Sequence, residues 1–281
     1  MPDFRVHAPA ATLGAADIRL SPEESHHLVS VNRCGRGDPV TAFDGRGREW
    51  LCECIDPGKS GAVLRVKESR QAPPLPHEIT LGQALPKGST MDDIIRQATE
   101  VGAARVVPLL TERTQVHLDA DRAGKKIEKW RTTAIEAAKQ CGNPWLPEIS
   151  PVQKFDEFIA GRWASVSPFD KLRAPSPSRG TPTPVAAVES GDHHYDLKLI
   201  ASLHAGTTTL KKTLSGYAAK HGRAPHKVLW LIGPEGDFSP AEMTAAITAG
   251  FQPITLGPLV LRSDTAAIYA LSILSHELGS A

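Results

Sequence analysis

Two glycine-proline loops hold the residues of this chain best placed for chemistry. The first reads Gly233-Pro234-Glu235-Gly236-Asp237-Phe238-Ser239 and follows an apolar run at 228–232. The second reads Leu256-Gly257-Pro258-Leu259-Val260-Leu261-Arg262-Ser263-Asp264 and follows Ile254-Thr255. A strand that ends in glycine lets a small molecule approach backbone N–H and C=O groups, because no Cβ stands in the way. Ligands of open α/β sheets collect just past the carboxyl ends of the strands. The loops therefore suggest one pocket with two walls, the plainer alternative being two ordinary turns. Glu235 and Asp264 place one carboxylate in each loop. Either could accept a proton or orient a substrate; the structural alternatives are a backbone-binding loop residue and a helix N-cap. Arg262 stands at a helix N-terminus, where the dipole disfavours a cation and an anionic partner would explain it.

The elements that must position these loops are legible around them. The continuous apolar run 228–232 suits a central parallel strand covered on both faces. Ser239 as N-cap, Pro240 in the first turn and Glu242 as the reciprocal partner predict a helix that stops at Gly250. Ser263 or Asp264 caps a final helix with Ala267, Ile268, Leu271 and Leu274 on one face. Upstream, 79–84, 106–110 and 197–203 read as strands, and 89–101 and 127–140 as helices. Such alternation implies an α/β domain with a mostly parallel sheet. Before the stiff linker Gln71-Ala72-Pro73-Pro74-Leu75-Pro76, short strands at 40–43, 50–55 and 62–66 with tight turns suggest a small β-barrel. Pro22, Glu23 and Glu24 favour a short helix bearing His26, His27 and Leu28. The domains are thus expected at 1–72 and 73–281. A stretch at about 165–192, with five prolines and no apolar period, reads as a flexible surface insertion.

Composition narrows the function. In 281 residues, 32 Lys and Arg balance 31 Asp and Glu, so any basic surface is local. Four cysteines show neither a disulfide framework nor paired zinc-ligand spacing; Cys52 and Cys54 fall on one face of a strand as reduced apolar fillers. No signal pattern and no apolar run near the roughly 20 residues that span a bilayer are found, so a cytoplasmic, soluble protein is expected. Lys87-Gly88-Ser89-Thr90 superficially resembles a P-loop, but its order is Lys-Gly, and neither GxGxxG nor GxSxG follows a strand. What remains is a glycine-lined pocket without phosphate or metal machinery. It is compatible with S-adenosylmethionine, an adenosine with apolar faces and a polar amino-acid tail.

The two loops together resemble the paired signature of the RsmE-type 16S ribosomal RNA (uridine-N3)-methyltransferases, members of the SPOUT superfamily of trefoil-knotted methyltransferases. Matches run in the same order along nearly the whole chain. They include His26-His27-Leu28, Phe43-Asp44-Gly45, Gln83-Ala84-Leu85, Lys87-Gly88, Thr111-Glu112-Arg113, Trp130, Glu136 and Gln140. The resemblance implies a C-terminal SPOUT α/β trefoil-knot domain after an N-terminal PUA-like β-barrel, and a homodimer with its pocket at the knot. S-adenosylmethionine would contact Leu203, His204, Gly233, Pro234, Glu235, Gly236, Leu256, Gly257, Leu261 and Arg262. Glu235, Arg262 and Asp264 would serve catalysis, and Arg5, Arg33 and Arg113 would bind 16S ribosomal RNA or the small subunit. Asp237 departs from the pattern by replacing a second glycine, and Ser263-Asp264 replaces the commoner Thr-Glu. The rivals are a related knotted enzyme acting on transfer RNA or ribose oxygen, and a non-catalytic RNA-binding homologue.

Overall fold

The computed structural model describes residues 4–116, 119–162, 194–203 and 206–279; the proline-rich stretch 165–192 lies outside them. The chain forms two compact units. One takes the chain up to Leu75 with Thr132–Leu146, and the other takes Pro76–Arg131 and Pro147 onward. Residues 132–146, read from sequence as part of the second domain, thus count with the first unit. A charge cluster ties them there. The buried Lys139 donates to Glu24 Oε1 at 2.6 Å and to Glu136 Oε1 at 2.7 Å. Glu136, one turn from Gln140 on its helix, is therefore engaged within this unit.

In the first unit, β1 (Phe4–His7), β2 (Asp17–Arg19), α1 (Pro22–His26), β3 (Pro39–Phe43), β4 (Arg48–Asp56) and β5 (Val63–Gln71) follow in order. The strands form a mixed sheet ordered β1-β3-β4-β5-β2, with β1 and β3 parallel and the other pairs antiparallel. It forms a half-barrel, in keeping with the small barrel expected from sequence. Register shifts between Leu51 and Cys52 and between Cys54 and Asp56 disrupt the β4–β5 ladder; such bulges bend a strand and raise its twist. Leu28, Trp50, Cys54 and Leu64 pack the core. Cys52 and Cys54 are buried and free, and burial pushes the Cys52 thiol up to about 11, consistent with an inert filler. Ser21 caps α1 by accepting from Glu24, and a π-helical turn at His27–Val31 continues it.

The second unit alternates as expected. Its elements are β6 (Glu78–Ala84), α2 (Thr90–Val101), β7 (Arg105–Leu110), α3 (Ala120–Cys141, whose residues from Thr132 on count with the first unit), β8 (Glu148–Ile149), β9 (Gln153–Lys154), α4 (Phe155–Ile159), β10 (Leu197–Ala201), α5 (Leu210–His221), β11 (Lys227–Ile232), α6 (Pro240–Thr248), β12 (Gln252–Ile254) and α7 (Ser263–Gly279). The sheet runs β12-β10-β11-β6-β7-β8, with β9 also on β7, and every pairing is parallel. Helix α3 starts seven residues before the predicted 127. Asp119 accepts from Arg122 N–H, and the first turns, Asp121 to Lys126, carry no apolar period to announce them. Strand β10 ends at Ala201 rather than 203, leaving Leu203 59 % exposed. At the opposite end of β11, Asp196 accepts from Arg223 and from the N–H groups of His226 and Lys227. The Arg223 guanidinium holds that carboxyl well below the usual carboxylate range.

After β12 at the sheet edge, the chain returns past the carboxyl ends of β10 and β11, and α7 packs on α2, β6 and β11. That return brings the second glycine loop to the first. Among the described residues no helix is long and apolar enough to cross a membrane.

Candidate active site

The first loop is pinned from several sides. Ser239 Oγ accepts from Glu242 N–H at 3.3 Å while Glu242 Oε2 accepts from Ser239 N–H at 2.9 Å, the capping box predicted from sequence. The other Glu242 oxygen accepts from Glu112 N–H at 2.8 Å, which ties α6 to the end of β7. Glu235 Oε1 accepts from Lys87 N–H at 3.0 Å, and Arg113 donates to Gly236 C=O at 2.6 Å. Asp237 adopts a φ of 59°, a left-handed conformation that glycine enters without a Cβ penalty. Its Oδ1 accepts from Phe238 N–H at 2.8 Å, a local bond that supports the turn.

The second loop is held differently. Thr255 Oγ1 accepts from Gly257 N–H at 3.1 Å and donates to Gly257 C=O at 3.2 Å, while Gly257 takes a φ of 117°. Leu259 and Val260 are 72 % and 77 % exposed. Ser263 opens α7, but its hydroxyl does not cap that helix as the sequence suggested. It donates across to Gly233 C=O at 2.8 Å and accepts from Gln83 Nε2 at 2.9 Å. Asp264 Oδ1 accepts from the adjacent Thr265 N–H at 2.8 Å, too local to be a regular cap.

Between the loops lies a cavity of about 510 Å³, closed by the end of β10 and the first turns of α2 and α7. That volume falls within the range of small-ligand sites. Leu203, Gly233, Pro234, Glu235, Leu256, Gly257, Leu261, Arg262 and Asp264 all line it. Gly236 is not among the lining residues; its Cα faces the Arg113 stem, where an added Cβ would meet Cδ at 3.3 Å. His204 falls outside the described residues. Nine further lining residues were not named as site residues from sequence: Thr90, Ala201, Ser202, Ile232, Asp237, Leu259, Val260, Ser263 and Ala266. The Lys87 to Thr90 segment, set aside as a failed P-loop, was the available signal for the first.

The lining suits an adenosine with a charged tail. Leu203, Leu256, Leu259 and Leu261 offer apolar surface, Glu235, Asp237 and Asp264 offer carboxylates, and space beside Gly257 is open for 4 Å. Of the three arginines expected to bind RNA, Arg5 is engaged elsewhere. It donates to Glu49 at 2.8 Å, stacks over Phe43, and its side chain is 12 % exposed. Arg33 is exposed with a φ of 61°, and Arg113, also exposed, braces Gly236.

Comparison with known proteins gives the chain its family. Residues 73–275 match the RNA methyltransferase domain family, and residues 20–67 match the RNA methyltransferase PUA domain. The chain is 31 % identical over 265 residues to ribosomal RNA small subunit methyltransferase E of a Synechocystis species, covering 94 % of this chain and 75 % of the relative. The chain belongs to the ribosomal RNA small subunit methyltransferase E family. The member from Bacillus subtilis is 28 % identical over 264 residues, 94 % of this chain and 91 % of its own. A solved Legionella pneumophila protein in complex with bound S-adenosylmethionine superposes with a TM-score of 0.79 at 28 % identity, over 99 % of this chain and 98 % of that one. The family's two-domain order, PUA then methyltransferase, is the order expected from sequence.

Proposed function

We propose that this chain transfers a methyl group from S-adenosylmethionine to N3 of a uridine in 16S ribosomal RNA, as a homodimer in the cytoplasm. The observation that carries the proposal is the cavity between two glycine loops, in a chain belonging to a family named for ribosomal RNA methylation. S-adenosylmethionine supplies an electrophilic methyl group on its sulfonium. Leu203, Gly233, Pro234, Leu256, Gly257 and Leu261 would hold it, with the glycines admitting close backbone approach.

Uridine N3 carries an imide proton that must leave as the new bond forms. Glu235 and Asp264 line the cavity, and each has one oxygen held by a backbone N–H, which fixes its carboxylate for proton acceptance or for orienting the base. Arg262, exposed at the cavity rim, suits an RNA phosphate and would position the strand. The target base is splayed out of its stack, because a base inside an RNA helix hides the atom to be modified. Exposed Leu203, Leu259 and Val260 beside the cavity support a second copy as cover.

Nucleoside analysis of small subunits lacking the modification, incubated with protein and S-adenosylmethionine, tests the proposal. N3-methyluridine is expected; any other methylated nucleoside overturns the choice of atom. Glu235→Gln with unchanged cofactor affinity and an undiminished rate removes Glu235 as proton acceptor.

A further inference from the structure

Gln83 lies near the carboxyl end of β6, between β11 and β7, and is fully buried at 0 % exposure. The sheet needs only an apolar side chain at such a place, and a buried amide is unfavourable unless bonded. Its Nε2 donates to Ala84 C=O at 2.8 Å and to Ser263 Oγ at 2.9 Å. Ser263 Oγ in turn donates to Gly233 C=O at 2.8 Å. Both outer ends are carbonyl oxygens, which only accept, so the direction of donation is set. The amide must present its NH₂, and the hydroxyl, having accepted, must turn its single proton to Gly233. The remaining Gln83 atom, Oε1, is buried without a hydrogen-bond partner among the described residues. An unpaired buried acceptor is unfavourable, so stability alone does not favour this residue here.

We infer that Gln83 is a positioning residue for the methyl-donor site: through Ser263 it fixes the Gly233 carbonyl and so the spacing of the two loops. The inference rests on the S-adenosylmethionine reading above. Gln83 is not among the residues lining the cavity, whereas Ser263 and Gly233 are. Its effect on a ligand therefore passes through the hydroxyl. Holding both loops in their bound spacing before the ligand arrives reduces the ordering cost of binding.

The test is calorimetric titration of S-adenosylmethionine into the full chain and its Gln83→Met, Ser263→Ala and doubly substituted variants, with a thermal melt of each. Methionine matches glutamine in length and cannot donate. We expect Gln83→Met to raise Kd by roughly three- to tenfold, one lost hydrogen bond, while Tm stays level or rises as the unpaired acceptor disappears. The double variant should bind little worse than the weaker single, because both act through one chain of bonds. In turnover, KM for S-adenosylmethionine should rise with kcat and KM for RNA retained. An unchanged Kd in Gln83→Met, or a weakened Kd that merely tracks a fall in Tm, overturns the inference alone. Wild-type protein that binds no S-adenosylmethionine overturns the donor-site reading and this inference with it. Should Gln83→Met not fold, Gln83→Leu provides a second apolar occupant for the same comparison.

Discussion

The two glycine loops wall one cavity but are built on different terms. The 233–239 loop is bonded to two other segments: Lys87 holds Glu235, while the neighbours Arg113 and Glu112 hold Gly236 and, at the loop's far end, Glu242. The 255–262 loop is held mostly by its own Thr255 and presents Leu259 and Val260 to solvent. One wall is prepared by the chain itself. The other has an apolar face that, on the homodimer proposal, a second copy covers. Ser263 is the fixed point between them, since its hydroxyl reaches Gly233 from the start of α7.

The sharpest test of that contrast lies at the glycines. A Cβ on Gly233 would sit 3.0 Å from Asp237 Oδ1, 3.2 Å from Asp237 Cα and 3.3 Å from Phe238 N, two of them backbone atoms of the same tight turn. Gly233→Val should destabilise by about 3 kcal/mol through overpacking and abolish S-adenosylmethionine binding, read by melt and calorimetry. Next, Glu242→Ala removes the capping box and orphans the Glu112 N–H. Denaturant unfolding should show a loss of about 2 kcal/mol, with binding weakened as the first wall loosens.

A smaller effect, at the other end of β11, asks whether the pinning is peculiar to the loop. Asp196→Asn should cost about 1.5 kcal/mol at neutral pH with cofactor affinity unchanged. Because the folded-state pKa of Asp196 is depressed, its contribution is complete above the unfolded value near pH 4 and fades as pH falls below it. The gap between wild type and variant should therefore close in acid, measured as unfolding free energy against pH.

Gly257→Ala meets no atom of the described residues within 4 Å, so among them only its φ of 117° opposes the change. About 1 kcal/mol is expected, with binding reduced less than by Gly233→Val. An equal loss at both glycines would erase the distinction between the loops. Smallest in stability is the pair Leu259→Ser with Val260→Ser. It should stay within about 0.5 kcal/mol of wild type, yet sedimentation should show a weakened dimer. A dimer unaffected by that change breaks the proposal that a second copy covers this wall.

Much of the site was legible beforehand because its signals are local. The capping box at Ser239 and Glu242 needs only neighbours in sequence, and it stands as predicted. The run of apolar residues in β11 and the glycines after it marked a strand end and its loop. Where partners are remote, the reading stopped short. Ser263 read as a cap, since its pull toward Gly233, thirty residues away, leaves no periodic trace. The ion pair of Arg5 with Glu49, forty-four residues on, likewise left no local trace. The 120–126 turns of α3 were missed because they carry no apolar stripe, and their start depends on Asp119.

The sequence by itself determined the alternation of strands and helices, the two glycine loops and the carboxylates they carry. Periodicity, capping and turn chemistry act over a few residues, so they can be read from a string. Only the tertiary structure decided that the chain after β12 comes back to β6 and α2, that Gln83 meets Ser263, and that the two loops face one cavity. Those pairings join residues up to 180 positions apart, and no local preference encodes which distant partner a buried polar group will find.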